Sequence, residues 1–484
     1  MSSLRRFLLY FAQENIEFRY PEIKSLIQLF NLEIKLPNSF GETPYWILDD
    51  VDEQDVRKIA SRSVSLRYIV EVFSSGKNYK SFHENLKNFS ISDLSKKYAS
   101  ADSSFRITVD TYNKRIEHAE KIQRIESLDY IDYKGKIDLK NPENNFIYFE
   151  YWGLDPTNVP EEPVEIIFGR WISDGQRDIT KSISLKTRKF IGNTSMNPLL
   201  SLLMANQGLC DKNHIVFDPF AGTGSILIAA AKFGSFVIGS DIDYLMLHGR
   251  TKPSRVRQKV REEDENIKSN MIQYNLQHLY VDIFVSDFSN CPLNDAIEFD
   301  SIITDPPYGI REKMAQVVPK EGGRKSTVLT EDAKHYPSTS NYSINSMYGD
   351  LLNFAAKHLK LHGRLVCWFP VNRDDYHEEL LPRHSAFQII ANSEQKLNGD
   401  ATRRLLTYEK VKESGEIVDV DALETFDFRQ KYFTQATNIK EKRLATHHRN
   451  IIEAQKRGKI IENLAERKKL SNKKFHLDNE HSDK

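Results

Sequence analysis

The sequence predicts a mainly parallel, doubly wound α/β sheet preceded by an α+β region. Three observations carry that fold class. From residue 215 to 409, short apolar runs alternate with stretches of helical period, the pattern of repeated strand–helix–strand units. Four of those runs lead into an acid, as expected if their ends line one edge of a sheet. Residues 1–151 hold strand-like runs without that regular alternation.

The bulk numbers narrow the field. A chain of 484 residues has room for two or three domains. Its 68 Lys+Arg balance 68 Asp+Glu, so nucleic-acid binding has to come from local surface rather than from global charge. Cys210, Cys291 and Cys367 are far apart and form no CxxC pair. That argues against a cysteine-based zinc site and suits a reducing, cytoplasmic compartment. Arg5 and Arg6 precede an apolar run too short for a membrane span and lacking a cleavage pattern, and no other run is long enough to cross a bilayer.

Taken in order, Leu4–Phe11 reads as a strand and Pro21–Phe30 as a helix. Tyr45–Leu48, Ser65–Phe73, Ser104–Asp110 and Asn145–Tyr151 read as further strands by their alternation. Residues 1–151 are therefore taken as one α+β unit. Trp152–Pro163, rich in Pro, Glu and Asp, reads as a linker, which with the strand Glu165–Trp171 makes a connection over 152–184. Ser195–Asn206 is a helix with a polar entry and Pro198 in its first turn. The regular pattern follows, with strands at Ile215–Phe220, Ser235–Asp241, Val281–Asp287, Asp300–Thr304 and Arg364–Phe369. Helices are expected at Gly224–Phe233, Asn266–Leu279 and Asn345–Leu361, and a final strand pair at Phe387–Ala391 and Arg403–Glu409. The second domain thus covers 185–415. A basic extension, 416–484, follows; its Lys440–Lys474 stretch has twelve Lys/Arg against four Asp/Glu and reads as a helix with one apolar stripe.

The chemistry is expected at the strand ends. The first strand closes in Asp218-Pro219-Phe220-Ala221-Gly222-Thr223-Gly224. Glycines there let backbone approach a ligand. Leu227 stands where the dinucleotide fingerprint needs a third glycine, and no GxxxxGK[ST] is present, so neither a dehydrogenase nor a P-loop ATPase fits. Asp241, after the second strand, suits the two hydroxyls of a ribose. Asp287, after the third, suits an amino group of adenine, with Phe288 against the ring. The fourth strand runs into Asp305-Pro306-Pro307-Tyr308, where prolines stop the strand beside an acid and an aromatic. Each acid alone also reads as a turn residue; four in register with a GTG turn point to a site.

This order of motifs resembles the class I S-adenosylmethionine-dependent methyltransferases, with DPFAGTGS as the cofactor loop. DPPY resembles the motif of enzymes that methylate exocyclic amino groups, N2 of guanine or N6 of adenine. Together with 185–206, SDID and 403–410, the set resembles the catalytic subunit of the eukaryotic tRNA guanine-10 N2-methyltransferases. That family carries an N-terminal THUMP module, for which SFRITVD (104–110) is the main trace here. The resemblance implies a Rossmann-like class I methyltransferase domain, S-adenosylmethionine as cofactor, tRNA as substrate and a small zinc-binding activator subunit as partner. It places Asp218, Phe220, Gly222, Gly224, Asp241 and Asp287 at the cofactor and Asp305, Pro306, Pro307 and Tyr308 at the base. Arg311, Arg324 and Lys325, in the polar loop 310–344, are candidate contacts to RNA phosphates. DPPY itself leaves N6-adenine and ribosomal-RNA targets open, and a non-catalytic RNA-binding scaffold is the rival from another class.

Overall fold

The computed structural model describes residues 5–36, 41–89, 91–98, 100–310, 312, 314–317, 339–398 and 401–413, with short pieces at 415, 417–418, 428 and 432–434. The chain divides into two units. The first covers 1–369, 377–395 and 404–425, and the second takes in Pro370–Tyr376, Lys396–Arg403 and the chain from Phe426. Everything below concerns the first unit except where strand ends run into the second.

The N-terminal sheet contains β1 (Arg5–Phe11), β2 (Tyr45–Val51), β3 (Leu66–Gly76), β4 (Ser104–Tyr112), β5 (Lys136–Ile137), β6 (Asn144–Tyr151) and β7 (Glu165–Asp174). Their order is β2-β1-β3-β7-β6-β4-β5. Strand period decides the faces. Phe7, Leu9 and Phe11 of β1 pack with Ile23 and Leu26 of α1 (Arg19–Leu29) and Val56 and Ile59 of α2 (Glu53–Ala60). Leu8 and Tyr10 point the other way, into a second cluster with Val70, Ile147 and Phe149. Phe82 and Leu86 of α3 (Tyr79–Asn88) join Phe105, Phe146 and Phe168, and α4 (Ile91–Tyr98) adds Leu94. A short α5 (His118–Glu126) follows β4.

The boundary expected at 151 cuts through this sheet. β7 pairs antiparallel with both β3 and β6, so it is the middle strand. Residues 152–164 are the connection of a β6–β7 hairpin, not an interdomain linker. The apolar run Ile166–Phe168 is buried on both sides, which a connecting strand between domains would not be.

After α6 (Arg177–Ser182), α7 (Pro198–Gln207) opens with Pro198 at its first position and with Asn197 accepting the Leu199 N–H at 2.8 Å. The second sheet then builds up from β8 (Ile215–Asp218), α8 (Ser225–Lys232), β9 (Phe236–Asp241), α9 (Tyr244–Leu247), α10 (Ile267–Gln273), β10 (Tyr280–Val285) and β11 (Phe299–Thr304). A two-stranded piece, β12 (Ala315–Val317) with β13 (Thr339–Asn341), precedes α11 (Ile344–His358), β14 (Leu359–Asn372), β15 (Phe387–Asn398) and β16 (Ala401–Lys410). Strand order is β10-β9-β8-β11-β14-β16-β15, and the run from β10 to β14 is parallel throughout. The order reverses between β8 and β11, the position where doubly wound sheets open a ligand crevice. α10 stops well short of Leu279, because Asn275 turns left-handed at φ +60° and closes the helix.

α1 packs against α7, so the N-terminal sheet and the parallel sheet are joined through polar bonds in a buried seam. The Glu22 carboxylate, fully buried, accepts from Ser63 Oγ at 2.8 Å, the Val64 N–H at 2.7 Å, the Ser65 N–H at 3.1 Å and hydroxyl, and Asn206 Nδ2 at 2.7 Å. Arg364, at 1% exposure, donates to Ser25 Oγ at 2.8 Å and the Gln207 carbonyl at 2.7 Å, and also to Gln28.

Candidate active site

The crevice is built from the carboxyl ends of β8, β9 and β11. β8 ends at Asp218, and the turn into α8 holds Gly222 at φ +51° and Gly224 at φ +76°. A Cβ on Gly224 would lie 2.8 Å from Ile267 Cγ2, so that position is closed to a side chain. A Cβ on Gly222 would meet nothing within 4 Å. Gly222 therefore faces open space, as a ligand cradle requires. Its N–H donates to Asp241 Oδ2 at 2.8 Å, and the Ala221 N–H donates to the Ser240 carbonyl at 2.9 Å, which pins the turn to the end of β9.

Asp218 sits at 1% exposure. Its Oδ1 accepts from Thr304 Oγ1 at 2.6 Å and the Phe220 N–H at 3.1 Å, while Oδ2 is buried with no hydrogen-bond partner among the described residues. Burial pushes its carboxyl up to about 7; those two bonds oppose the rise, and the neighbouring Asp241 and Asp305 add to it. Asp241 is also pushed up by burial, to about 6, against bonds from the Asp243 and Gly222 N–H groups. Its Oδ1 and Oδ2 each hold one donor, leaving lone pairs for two hydroxyls.

Asp287 lies two residues beyond β10. Its Oδ1 takes the Ser289 N–H at 3.0 Å and hydroxyl at 2.8 Å, and its Oδ2 takes the Val317 N–H at 2.5 Å. Phe288 is buried against Phe220, ring centroids 5.0 Å apart, which brings the third strand end to the first. Asp305 follows β11 directly, and the Tyr308 hydroxyl donates to its Oδ1. Pro306 is buried and Pro307 half-buried. Tyr348 and Trp368 are core residues behind this motif, the Tyr348 hydroxyl donating to the Trp368 carbonyl at 2.5 Å.

The structure thus brings Asp218, Phe220, Gly222, Gly224 and Asp241 together, joins Asp287 to them through Phe288, and joins Asp305–Tyr308 through Thr304. Arg311, Arg324, Lys325 and the Lys440–Lys474 stretch lie outside the described residues. Among the described residues no group of His, Cys, Asp and Glu is arranged to hold a metal ion.

Sequence reasoning missed the supporting residues. Thr304 precedes Asp305 and carries no sequence mark beyond its place in a strand. Ser195 Oγ and Thr223 Oγ1 lie 2.7 Å apart, Arg188 Nη1 donates to Ser225 Oγ at 2.7 Å, and Thr194 Oγ1 donates to Glu312 Oε1 at 2.8 Å. The segment 188–195 therefore braces the glycine turn and reaches the stretch after Tyr308. Its signal was the polar run Gly192–Asn197 just ahead of a Pro-started helix.

Residues 5–177 match the family described as the Tmrp11 THUMP N-terminal domain, and residues 186–320 match the RMKL-like methyltransferase domain. The chain is 45% identical over 411 residues to tRNA (guanine(10)-N(2))-methyltransferase TRMT11 of Bos taurus, covering 85% of this chain and 89% of that protein. It is 32% identical over 415 residues to tRNA (guanine(10)-N(2))-methyltransferase of Saccharomyces cerevisiae, covering 84% and 93%. Among solved structures, TrmN from Thermus thermophilus matches at 14% identity and a TM-score of 0.41, over 84% of this chain and 100% of that one.

Proposed function

The chain belongs to the tRNA (guanine(10)-N(2))-methyltransferase family, and on that premise we propose that it moves a methyl group from S-adenosylmethionine to the N2 amine of guanosine 10 in tRNA. Its fold is a class I methyltransferase domain behind a THUMP domain. The observation that carries the reading is the Thr304–Asp218 bond, which puts the glycine turn and the Asp305–Tyr308 motif at one crevice.

The residues present fit the cofactor. Gly222 opens a cradle, Asp241 offers lone pairs to ribose hydroxyls, and Phe220 and Phe288 form an apolar wall with Asp287 beside it for an adenine. The unpartnered Asp218 Oδ2 suits a cationic group, such as the ammonium of the methionine part. When bound, the cofactor supplies an electrophilic methyl sulfonium. Asp305 accepts N–H bonds of the guanine amine, which draws a lone pair out of conjugation and takes up the proton lost on methylation. Tyr308 holds the base by its ring and yields its present bond to Asp305 as the base enters. Alignment rather than strong acid–base chemistry supplies most of the rate. The guanine has to leave its stack to reach the crevice, and the N-terminal domain reads tRNA shape.

The zinc-binding activator suits the free edge of the parallel sheet. Among the described residues β10 is the edge strand of the parallel run, and Val281 and Val285 on it are exposed. Unpaired strand edges with apolar side chains take a partner strand. Three free thiols and a tRNA substrate support a cytoplasmic setting.

The test is incubation with labelled S-adenosylmethionine and unmodified tRNA, with and without the activator, followed by digestion to nucleosides. N2-methylguanosine is the expected product. A different methylated nucleoside, or none despite cofactor binding, overturns the reading.

A further inference from the structure

Between α9 and α10 the chain runs from His248 to Asn266 without regular structure, longer than the ~12–15 residues at which such a loop is usually functional. It buries little of its own apolar surface: Val256 is 91% exposed and Val260 78%. It is nonetheless tied down. Arg255 donates to the Lys186 carbonyl at 3.1 Å and to the Arg188 carbonyl. Arg261 donates to the Ile191 carbonyl at 3.1 Å and the Thr251 carbonyl at 2.7 Å, pairs with Glu265 at 2.9 Å and lies over the Phe190 ring. Gly249, at φ +64°, has the Glu265 carbonyl 2.3 Å from where a Cβ would stand.

Two arginines and two acids are spent on this anchoring, Glu265 on Arg261 and Asp264 on Lys189. What remains outward is Arg250, Lys252, Arg257 and Lys259, all exposed and none in an ion pair among the described residues, with Arg250 lying 5.7 Å from the centre of the Tyr244 ring; Glu262 and Glu263 are the exposed acids beside them. Arg257 is held at φ +75°, a conformation that a non-glycine residue adopts at a cost. On a chain of zero net charge, this is a local concentration of cations without an acidic partner among the described residues, on a fixed support. The support is the 186–195 segment, which braces the glycine turn and reaches Glu312.

We infer that the 249–261 loop is a phosphate-binding surface of the catalytic domain, on which Arg250, Lys252, Arg257 and Lys259 take the RNA backbone next to the nucleotide being methylated. The inference rests on the RNA substrate proposed above. Unpaired basic side chains on an anchored loop suit a polyanion, since the counterions it displaces drive binding and little loop entropy is lost.

The experiment titrates the full chain with tRNA by direct binding at several salt concentrations, comparing wild type, R257S/K259S and the charge-retaining R257K/K259R. The expected result is about tenfold weaker tRNA binding for R257S/K259S at physiological salt, a salt slope shallower by about two, and restoration in R257K/K259R. The cofactor Kd stays unchanged in all three. Unchanged tRNA affinity and slope overturn the inference, as does a loss that R257K/K259R fails to restore or that appears equally in cofactor binding. Methylation is read in parallel: a wild-type chain that binds tRNA through this loop but methylates nothing sinks the proposed activity while the loop assignment stands.

Discussion

Thr304 donates its hydroxyl to Asp218 at 2.6 Å, joining the carboxyl ends of the neighbouring strands β11 and β8. Thr304→Val keeps the shape and removes the donor, so a buried carboxylate oxygen is left without it. We expect a loss of about 1–3 kcal/mol in stability, together with weaker cofactor binding. Thermal denaturation and calorimetric titration read the two effects.

Asp218 also predicts a pH dependence. Its folded pKa, about 7, lies above the unfolded value near ~4. Its contribution is therefore full below about 4 and is lost as pH rises through about 7. Asp241, at about 6, titrates in the same interval, so the informative comparison is wild type against Asp218→Asn. The cofactor-free Asp218→Asn variant is expected to be more stable than wild type at pH 8 by roughly 1–4 kcal/mol, to show about a third of that gain at pH 5 and none below about pH 4, and to bind cofactor poorly. Equal melting temperatures at pH 8 would remove the buried-charge account.

The two left-handed glycines separate by what surrounds them. Gly224→Ala drives a Cβ into Ile267 and adds backbone strain, for a loss of roughly 2–4 kcal/mol. Gly222→Ala meets open space, so its cost is the left-handed backbone alone, about 1–2 kcal/mol. Its methyl group nonetheless occupies the cradle. A folded Gly222→Ala protein with cofactor affinity down at least tenfold is the expected outcome; wild-type affinity would mean the cradle lies elsewhere.

Asp305 and Tyr308 are predicted to act on the base and not on the cofactor. Asp305→Ala lowers kcat at least a hundredfold with cofactor Kd unchanged. Tyr308→Phe keeps the ring and loses the hydroxyl that bonds Asp305, so it retains far more activity than Tyr308→Ala. Single-turnover methylation of tRNA distinguishes them. Normal methylation by Asp305→Ala would end the catalytic assignment.

Glu22 holds the seam between the two sheets. Glu22→Ala leaves the donors of Ser63, Val64, Ser65 and Asn206 without their acceptor in a site closed to water. A destabilisation of about 3 kcal/mol or more is expected, seen as an earlier thermal transition and faster proteolysis. An unshifted melting curve would show that the seam contributes little.

What the sequence made legible was arrangement that is local in the chain. The acid-terminated strands, the GTG turn and the Asp-Pro-Pro-Tyr stop each fit within a few residues, and their side-chain types constrain what they do. What it concealed depends on partners far away. β7 reads as an isolated apolar run, and only pairing with β3 and β6 reveals it as the centre of the sheet. Thr304 looks like any strand residue until its Asp218 contact is seen. Arg255 and Arg261 have no period and no motif, since an arginine that grips backbone carbonyls leaves no pattern at its target.

The central position of β7 bears on how the chain emerges from the ribosome. The strands made first, β1 to β3, and the later group, β4 to β6, have no mutual pairing until residues 165–174 arrive to bridge them. Two half-sheets with bare edges must wait, side by side, for one late strand. Closure is non-local and correspondingly slow, and each waiting edge is a template for a neighbouring nascent chain. A fragment cut at residue 151 would be fixed in that state for good, so expression of the N-terminal domain alone should yield soluble protein only when the fragment runs past Asp174.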